Sequence, residues 1–243
     1  MKRNPIKQFL VSFIPRHVGN SVVLKVYHLL TLIPVPQKIR KKNLEHNTIR
    51  LKDAKWAFLT VPSTYIENQN EWGEILYGWG SHHTIKYSGC EIIATFNALK
   101  ALGKADSPNF MAELISEYEK HGAALWGEFG ISPPAICTYL KRHGFSVVTE
   151  KKADDKSLDM ADSRCRVFIA TVYNNAKDIT AQIHTVCITK DKNRYILHNA
   201  YRKNQKGAYV ASVPYATLKE AISHISGQEA KMICLIGIES NID

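Results

Sequence analysis

The chain has 243 residues, 45% of them hydrophobic, enough for one large core or two small ones. Its five cysteines, at positions 90, 137, 165, 187 and 234, form neither a Cys-x-x-Cys pair nor an even framework. That argues against a zinc ribbon or a disulfide scaffold and for free thiols in a reducing, cytoplasmic compartment. The net charge of +10 is concentrated, because residues 1–55 carry twelve Lys or Arg against Glu45 and Asp53 whereas residues 56–243 balance.

No apolar run approaches the roughly 20 residues of a membrane span. Phe9 to Pro15 is apolar behind basic residues, but it is short and lacks a small-residue cleavage site, so it does not read as a signal peptide. The charge asymmetry divides the chain into a basic segment, 1–55, and a domain, 56–243. Within the segment Ile6, Phe9, Leu10, Phe13 and Ile14 have helical spacing, and a second apolar group runs from Val22 to Val35. Ile33-Pro34-Val35-Pro36 ends that group, because proline disfavours helix in the residue before it. Lys38 to Lys42 is a charge run: a solvated face, or an arm that docks on an anionic membrane surface or an acidic partner, peripheral to a membrane in the first case. Nucleic acid fits less well, since the basic residues alternate with aliphatics and not with stacking aromatics.

From Lys55 onward the pattern is globular. Trp56 to Val61 reads as a strand and Trp72 to Ser81 as a loop rich in Gly and Trp. Gly89-Cys90 opens an amphipathic helix, with Ile92, Ile93, Phe96, Leu99 and Leu102 at three- and four-residue spacing and Gly103 as its stop. Ser107-Pro108 and Ser132-Pro133 start two more helices, with proline at the first helical position, ended by Gly122 and Gly144. The pattern then switches to strands at Phe145–Thr149, Val167–Tyr173, Ile183–Thr189, Arg194–Ala200 and Ala208–Val213. Tyr215 to Ile225 reads as a helix and Met232 to Ile238 as a last, buried strand. Helices followed by an antiparallel sheet make an α+β class.

Cys90 carries the chemistry. A cysteine at a helix N-terminus meets unpaired backbone N–H groups and the positive end of the dipole, which favours thiolate, the nucleophilic form. Taken alone it reads rather as a small apolar residue at the start of a core helix. A cysteine nucleophile needs a base, and the base needs an orienting group. His184 lies near the start of one strand and Asn199 near the end of the next. The turn Lys190-Asp191-Lys192-Asn193 suggests a hairpin that brings those two ends together. Individually, His184 reads as a half-buried strand histidine and Asn199 as a turn residue.

In this order and on these elements, Cys90, His184 and Asn199 resemble the papain-like cysteine peptidases, closest to the bacteriocin-leader (double-glycine) peptidase branch. The likeness covers roughly residues 70 to 240. It implies a papain-like fold, with a helical N-terminal half packed on a C-terminal antiparallel sheet. It also implies Cys90 as nucleophile, His184 as general base and acid, Asn199 as orienter of the imidazole, a peptide or protein substrate, and no cofactor or metal. Two positions depart from the family. Thr84 stands where its oxyanion-holding glutamine is usual, leaving Ser81, His82, His83, Thr84 or Ser88 to supply a donor. Glu91 replaces the glycine after the cysteine, and its helix position is expected to point it away from the thiol. A His82-His83 metal site with Cys90 lacks a second ligand pair. The expected activity is hydrolysis through a thioester acyl-enzyme. An acyltransferase or peptide-modifying enzyme with the same covalent step, and a catalytically silent papain-like binding module, are the alternatives.

Overall fold

Helix boundaries follow the local chemistry of their first and last residues. In the computed structural model, which describes residues 19–80, 82–174, 183–225 and 231–239, helix α1 spans Asn20–Leu29 and ends ahead of the Pro34-Val35-Pro36 run. Helix α2, Gln37–Arg50, starts directly after Pro36. The expected Trp56 to Val61 strand is instead a 3₁₀ helix, Ala54–Thr60, that buries Trp56 and Leu59. A single helical turn, α3 (Ile85–Ser88), precedes α4, Cys90–Ala101. Helix α5, Pro108–His121, is capped by the Ser107 hydroxyl accepting from the Phe110 N–H at 3.2 Å, and α6 spans Pro133–Arg142.

The second half supplies β1 (Val147–Glu150), α7 (Asp155–Arg164), β2 (Cys165–Tyr173), β3 (Ile183–Asp191), β4 (Arg194–His198), α8 (Leu218–Ser223) and β5 (Lys231–Glu239). The five strands form one antiparallel sheet in the order β1-β5-β2-β3-β4. The class is α+β. The expected Ala208 to Val213 strand does not form: this stretch makes an isolated bridge between Lys203 and Tyr209 and single bonds such as the Ser212 N–H to the Leu197 carbonyl of the strand before it, at 3.0 Å. Helix α7 has no counterpart in the sequence reading. Its Asp154 cap, accepting from the Ser157 N–H at 2.9 Å, sits in a polar run with a weak apolar stripe.

The sheet has two covered faces. On one, Val167, Ile169, Cys187, Ile233 and Ile236 join the large helical core; on the other, Phe168, Ala170, Val186, Ile188 and Leu235 pack with α7 and α8. Alternation along β2 explains this, since successive side chains point to opposite faces. Helix α4 is the axis of the helical half and lies on β2 and β3. It is buried from Cys90 to Lys100 on every side, not only along the stripe its apolar spacing suggests. Glu91, Asn97 and Lys100 are buried with it and find polar partners. The Asn97 amide brackets both backbone groups of Ile66 at 2.9 Å, and the Lys100 ammonium donates to the Leu59 carbonyl.

The basic segment is not a separate arm from residue 19 onward. Val23, Leu24, Val35 and Leu51 belong to the same core as α4, and α2 packs along α5. Asn47 brackets the backbone of Leu76 at 2.8 Å on both sides, and Asn43 donates to the Gly78 carbonyl at 3.0 Å and to Glu119 at 2.6 Å. These amides substitute for ladder hydrogen bonds in the irregular stretch that leads to Cys90. The helical spacing of Ile6 to Ile14 falls outside the described residues.

Candidate active site

Cys90 is the first residue of α4 and is only 8% exposed. Gly89 makes the sharp approach possible: a Cβ there would meet the Ile85 backbone at 2.8 Å. The sulfur is met by the backbone N–H groups of Thr185 and Glu91. Thr185 is available because β3 pairs with β4 only from Cys187 onward, leaving the edge before it without a β4 partner.

His184, next to Thr185 on β3, is buried. Its ring Nε2 lies 2.8 Å from the main-chain carbonyl of Asn199. A carbonyl can only accept, so Nε2 carries the proton and Nδ1 is the basic nitrogen. Tyr201 stacks on the imidazole, with ring centroids 4.6 Å apart. The two residues are therefore brought together as the hairpin reading expects, but through the backbone of Asn199 and not through its side chain. The Asn199 amide points elsewhere: Oδ1 accepts from the Gln69 N–H at 3.1 Å. Asn199 has φ 62, the left-handed region that asparagine tolerates better than most residues. Glu67 holds it there, one carboxylate oxygen accepting the Asn199 N–H at 2.8 Å and the other meeting His198 Nδ1 at 2.7 Å.

Among the described residues no hydrogen bond joins the Cys90 thiol to His184; the sulfur's side-chain partner is Glu91. This corrects the expectation that Glu91 points away. Gly130 allows it: with φ +74 its backbone passes so close that a Cβ would sit 2.4 Å from Glu91 Oε2. The Ile131 N–H faces the carboxyl and the Thr185 hydroxyl lies 3.5 Å from Oε1. Glu91 Oε2 has no hydrogen-bond partner of ordinary geometry.

The electrostatics differ from the thiolate expectation. Burial, followed by the Glu91 charge, pushes the Cys90 thiol well above its usual value, and the two N–H groups do not offset this. Burial pushes Glu91 up to about 7. Burial also pushes His184 down to about 4, with only the Asn199 carbonyl acting in the opposite sense. At neutral pH the resting site holds a thiol and a neutral imidazole.

Of the donors expected between His82 and Ser88, three have other neighbours. The Ser88 hydroxyl donates to the Gly127 carbonyl at 2.6 Å, His83 Nδ1 lies 3.1 Å from the Gly80 carbonyl, and His82 stacks on Tyr87. Thr84 is in an isolated bridge with Leu76, and Ser81 falls outside the described residues. The backbone N–H groups that face the sulfur come from Glu91 and Thr185. Among the described residues no cluster of three His, Cys, Asp or Glu could hold a metal ion. Glu67, Gln69 and Thr185 were not distinguishable in the sequence: each acts through a backbone group or on one, and such roles leave no residue-type signature. No protein-family model matches the chain, and no curated protein or solved structure matches it significantly.

Proposed function

We propose that this protein is a papain-like cysteine hydrolase that cleaves a peptide or amide bond. Cys90 is the nucleophile, His184 the acid–base and Asn199 the residue that orients the imidazole. The observation that carries this reading is the fixed tautomer of His184 on the strand edge where a helix-start cysteine rests. In the catalytic step the thiol turns from Glu91 to His184 Nδ1 and gives up its proton there. The sulfur bonds to the substrate carbonyl carbon, whose oxygen takes up the negative charge opposite the Glu91 and Thr185 N–H groups. The imidazolium then protonates the leaving nitrogen, the C–N bond breaks, and a thioester remains on Cys90. Water, deprotonated by His184, releases the acid and regenerates the thiol; an amine in its place gives an acyltransferase.

A second reading has its own support. The buried, protonated thiol held by Glu91 suits a papain-like binding module without turnover. Incubating the wild-type chain and Cys90→Ala with a peptide library separates the two. Hydrolysis or transfer lost in Cys90→Ala, with an acyl adduct on Cys90 by mass spectrometry, supports catalysis. Peptide binding equal in both proteins, with no product and no adduct, supports the module.

A further inference from the structure

The basic half of α1 and α2 also presents an apolar face. Val22, Leu29, Leu32 and Ile33, on α1 and the turn after it, are between 52% and 66% exposed. Val22, Lys25, Leu29 and Leu32 recur at helical spacing on the side of α1 opposite the buried Val23 and Leu24. Helix α1 therefore has two apolar stripes, one in the core and one in solvent, and folding accounts for only the first.

A neighbouring loop extends this face. The Leu125 N–H donates to the Leu30 carbonyl at 2.9 Å, which ties the segment Ala124–Gly127 to the end of α1. In that segment Leu125 and Trp126 both have positive φ, at 49 and 59, an arrangement costly for large side chains. The Trp126 carbonyl in turn accepts from the Trp79 N–H at 2.8 Å, and the two indoles lie 5.1 Å apart. Trp79 is 48% exposed. Strained backbone thus places a half-exposed tryptophan pair beside exposed Leu29, Leu32 and Ile33.

From residue 19 to 42 every Asp, Glu, Lys or Arg position is basic. Lys25 lies within the exposed apolar face, and Lys38, Lys41 and Lys42 are exposed at the start of α2, three residues beyond the turn. From residue 19 to 55, eight Lys or Arg stand against Glu45 and Asp53. Exposed aliphatic side chains, a half-exposed tryptophan and lysines on neighbouring segments match the layered chemistry of a bilayer: acyl chains below, anionic headgroups above. An acidic protein would be served by the lysines alone and gives no reason for the exposed leucines.

We propose that Leu29, Leu32, Ile33 and Trp79, with the lysines of α1 and α2, form a docking face for an anionic phospholipid surface. Vesicle co-sedimentation of the full chain tests it. Wild type should bind vesicles of phosphatidylglycerol and phosphatidylcholine, and bind pure phosphatidylcholine at least tenfold less. Leu29→Ser/Leu32→Ser/Ile33→Ser and, separately, Lys38→Glu/Lys41→Glu/Lys42→Glu should each weaken binding at least tenfold, with circular dichroism unchanged because every altered side chain is exposed. Trp79→Phe should remove most of a blue shift in tryptophan emission on binding. The proposal is overturned if the wild type ignores anionic vesicles, or if either triple variant binds as tightly as wild type. It is equally overturned if the aliphatic triple variant abolishes a concentration-dependent dimer in sedimentation velocity while vesicles are not bound, which would assign the face to a second copy of the chain.

Discussion

His184 Nε2 donates to the main-chain carbonyl of Asn199, 2.8 Å away, while the Asn199 side chain serves the Gln69 N–H on the other side. The imidazole is thus oriented by a backbone group whose position is set by φ 62 at Asn199 and by Glu67. Asn199→Gly keeps both the carbonyl and the left-handed conformation, so the ring should retain its Nε2–H tautomer. The lost acceptor for a buried N–H costs about 1–3 kcal/mol of stability. Glu67→Ala, which unpins the Asn199 N–H, should disturb the ring more. Nitrogen-15 shifts of the His184 ring report both; a tautomer change in Asn199→Gly would show that the side chain does the orienting.

Glu91 raises the cost of ionising Cys90, because both carry negative charge in the same buried space. Glu91→Gln removes that charge and keeps the shape. Thiolate formation should become easier, with the midpoint of the alkylation pH profile moving down by about one unit and the rate at pH 7.5 rising roughly tenfold. A slower rate in Glu91→Gln would mean that the carboxylate assists deprotonation.

Gly130 and Gly207 separate strain from collision. Both have positive φ, at +74 and +80, but a Cβ at 207 meets nothing within 4 Å whereas one at 130 strikes the Glu91 carboxyl. Gly207→Ala should cost about 1 kcal/mol in urea denaturation, and Gly130→Ala at least about 2 kcal/mol more. Gly130→Ala should also alter the Cys90 alkylation rate, since the carboxyl must move away from the sulfur. Equal losses for the two variants would contradict the close approach.

Stability should decline between pH 6.5 and 8. Burial holds Glu119 up to about 7 in spite of its bonds from Asn43 and the Gly78 N–H, and Glu91 likewise. A carboxyl raised on folding binds its proton more tightly in the native state, so its contribution fades as pH climbs from 4.5 through 7. His184, lowered to about 4, acts in the opposite sense, but only between about 4 and 6.5. Above that range the two carboxyls dominate and together cost about 1–2 kcal/mol by pH 8, a few degrees in Tm. Glu119→Gln retains Oε1 as an acceptor and should flatten the curve; a wild-type Tm that is constant or rises from pH 6.5 to 8 would contradict buried, proton-holding carboxyls.

The sequence carried the elements whose signals are local. Ser107-Pro108 and Ser132-Pro133 announce α5 and α6, and β-branched runs announce β2, β3 and β5. Trp56 to Val61 misled because a short, nearly continuous apolar run fits a 3₁₀ helix that buries Trp56 and Leu59, three residues apart, as well as it fits a strand. Helix α7 was silent because it is mostly polar, and the basic segment hid its role because Val23, Leu24, Asn43 and Asn47 act only through contacts distant in sequence. At the site, the hairpin argument brings His184 and Asn199 together, and α4 begins at Cys90. The direction of the Glu91 side chain depends on Gly130, 39 residues away in sequence, and no spacing rule reports it.

The most direct test is the rate of Cys90 alkylation across pH, mapped by mass spectrometry in the wild type and in His184→Ala. If Cys90 is a nucleophile served by His184, it should react ahead of Cys137, Cys165, Cys187 and Cys234 near neutral pH, and His184→Ala should slow it at least tenfold with Tm little changed. First reaction at half-exposed Cys137, with Cys90 slow and indifferent to His184, would contradict the hydrolase.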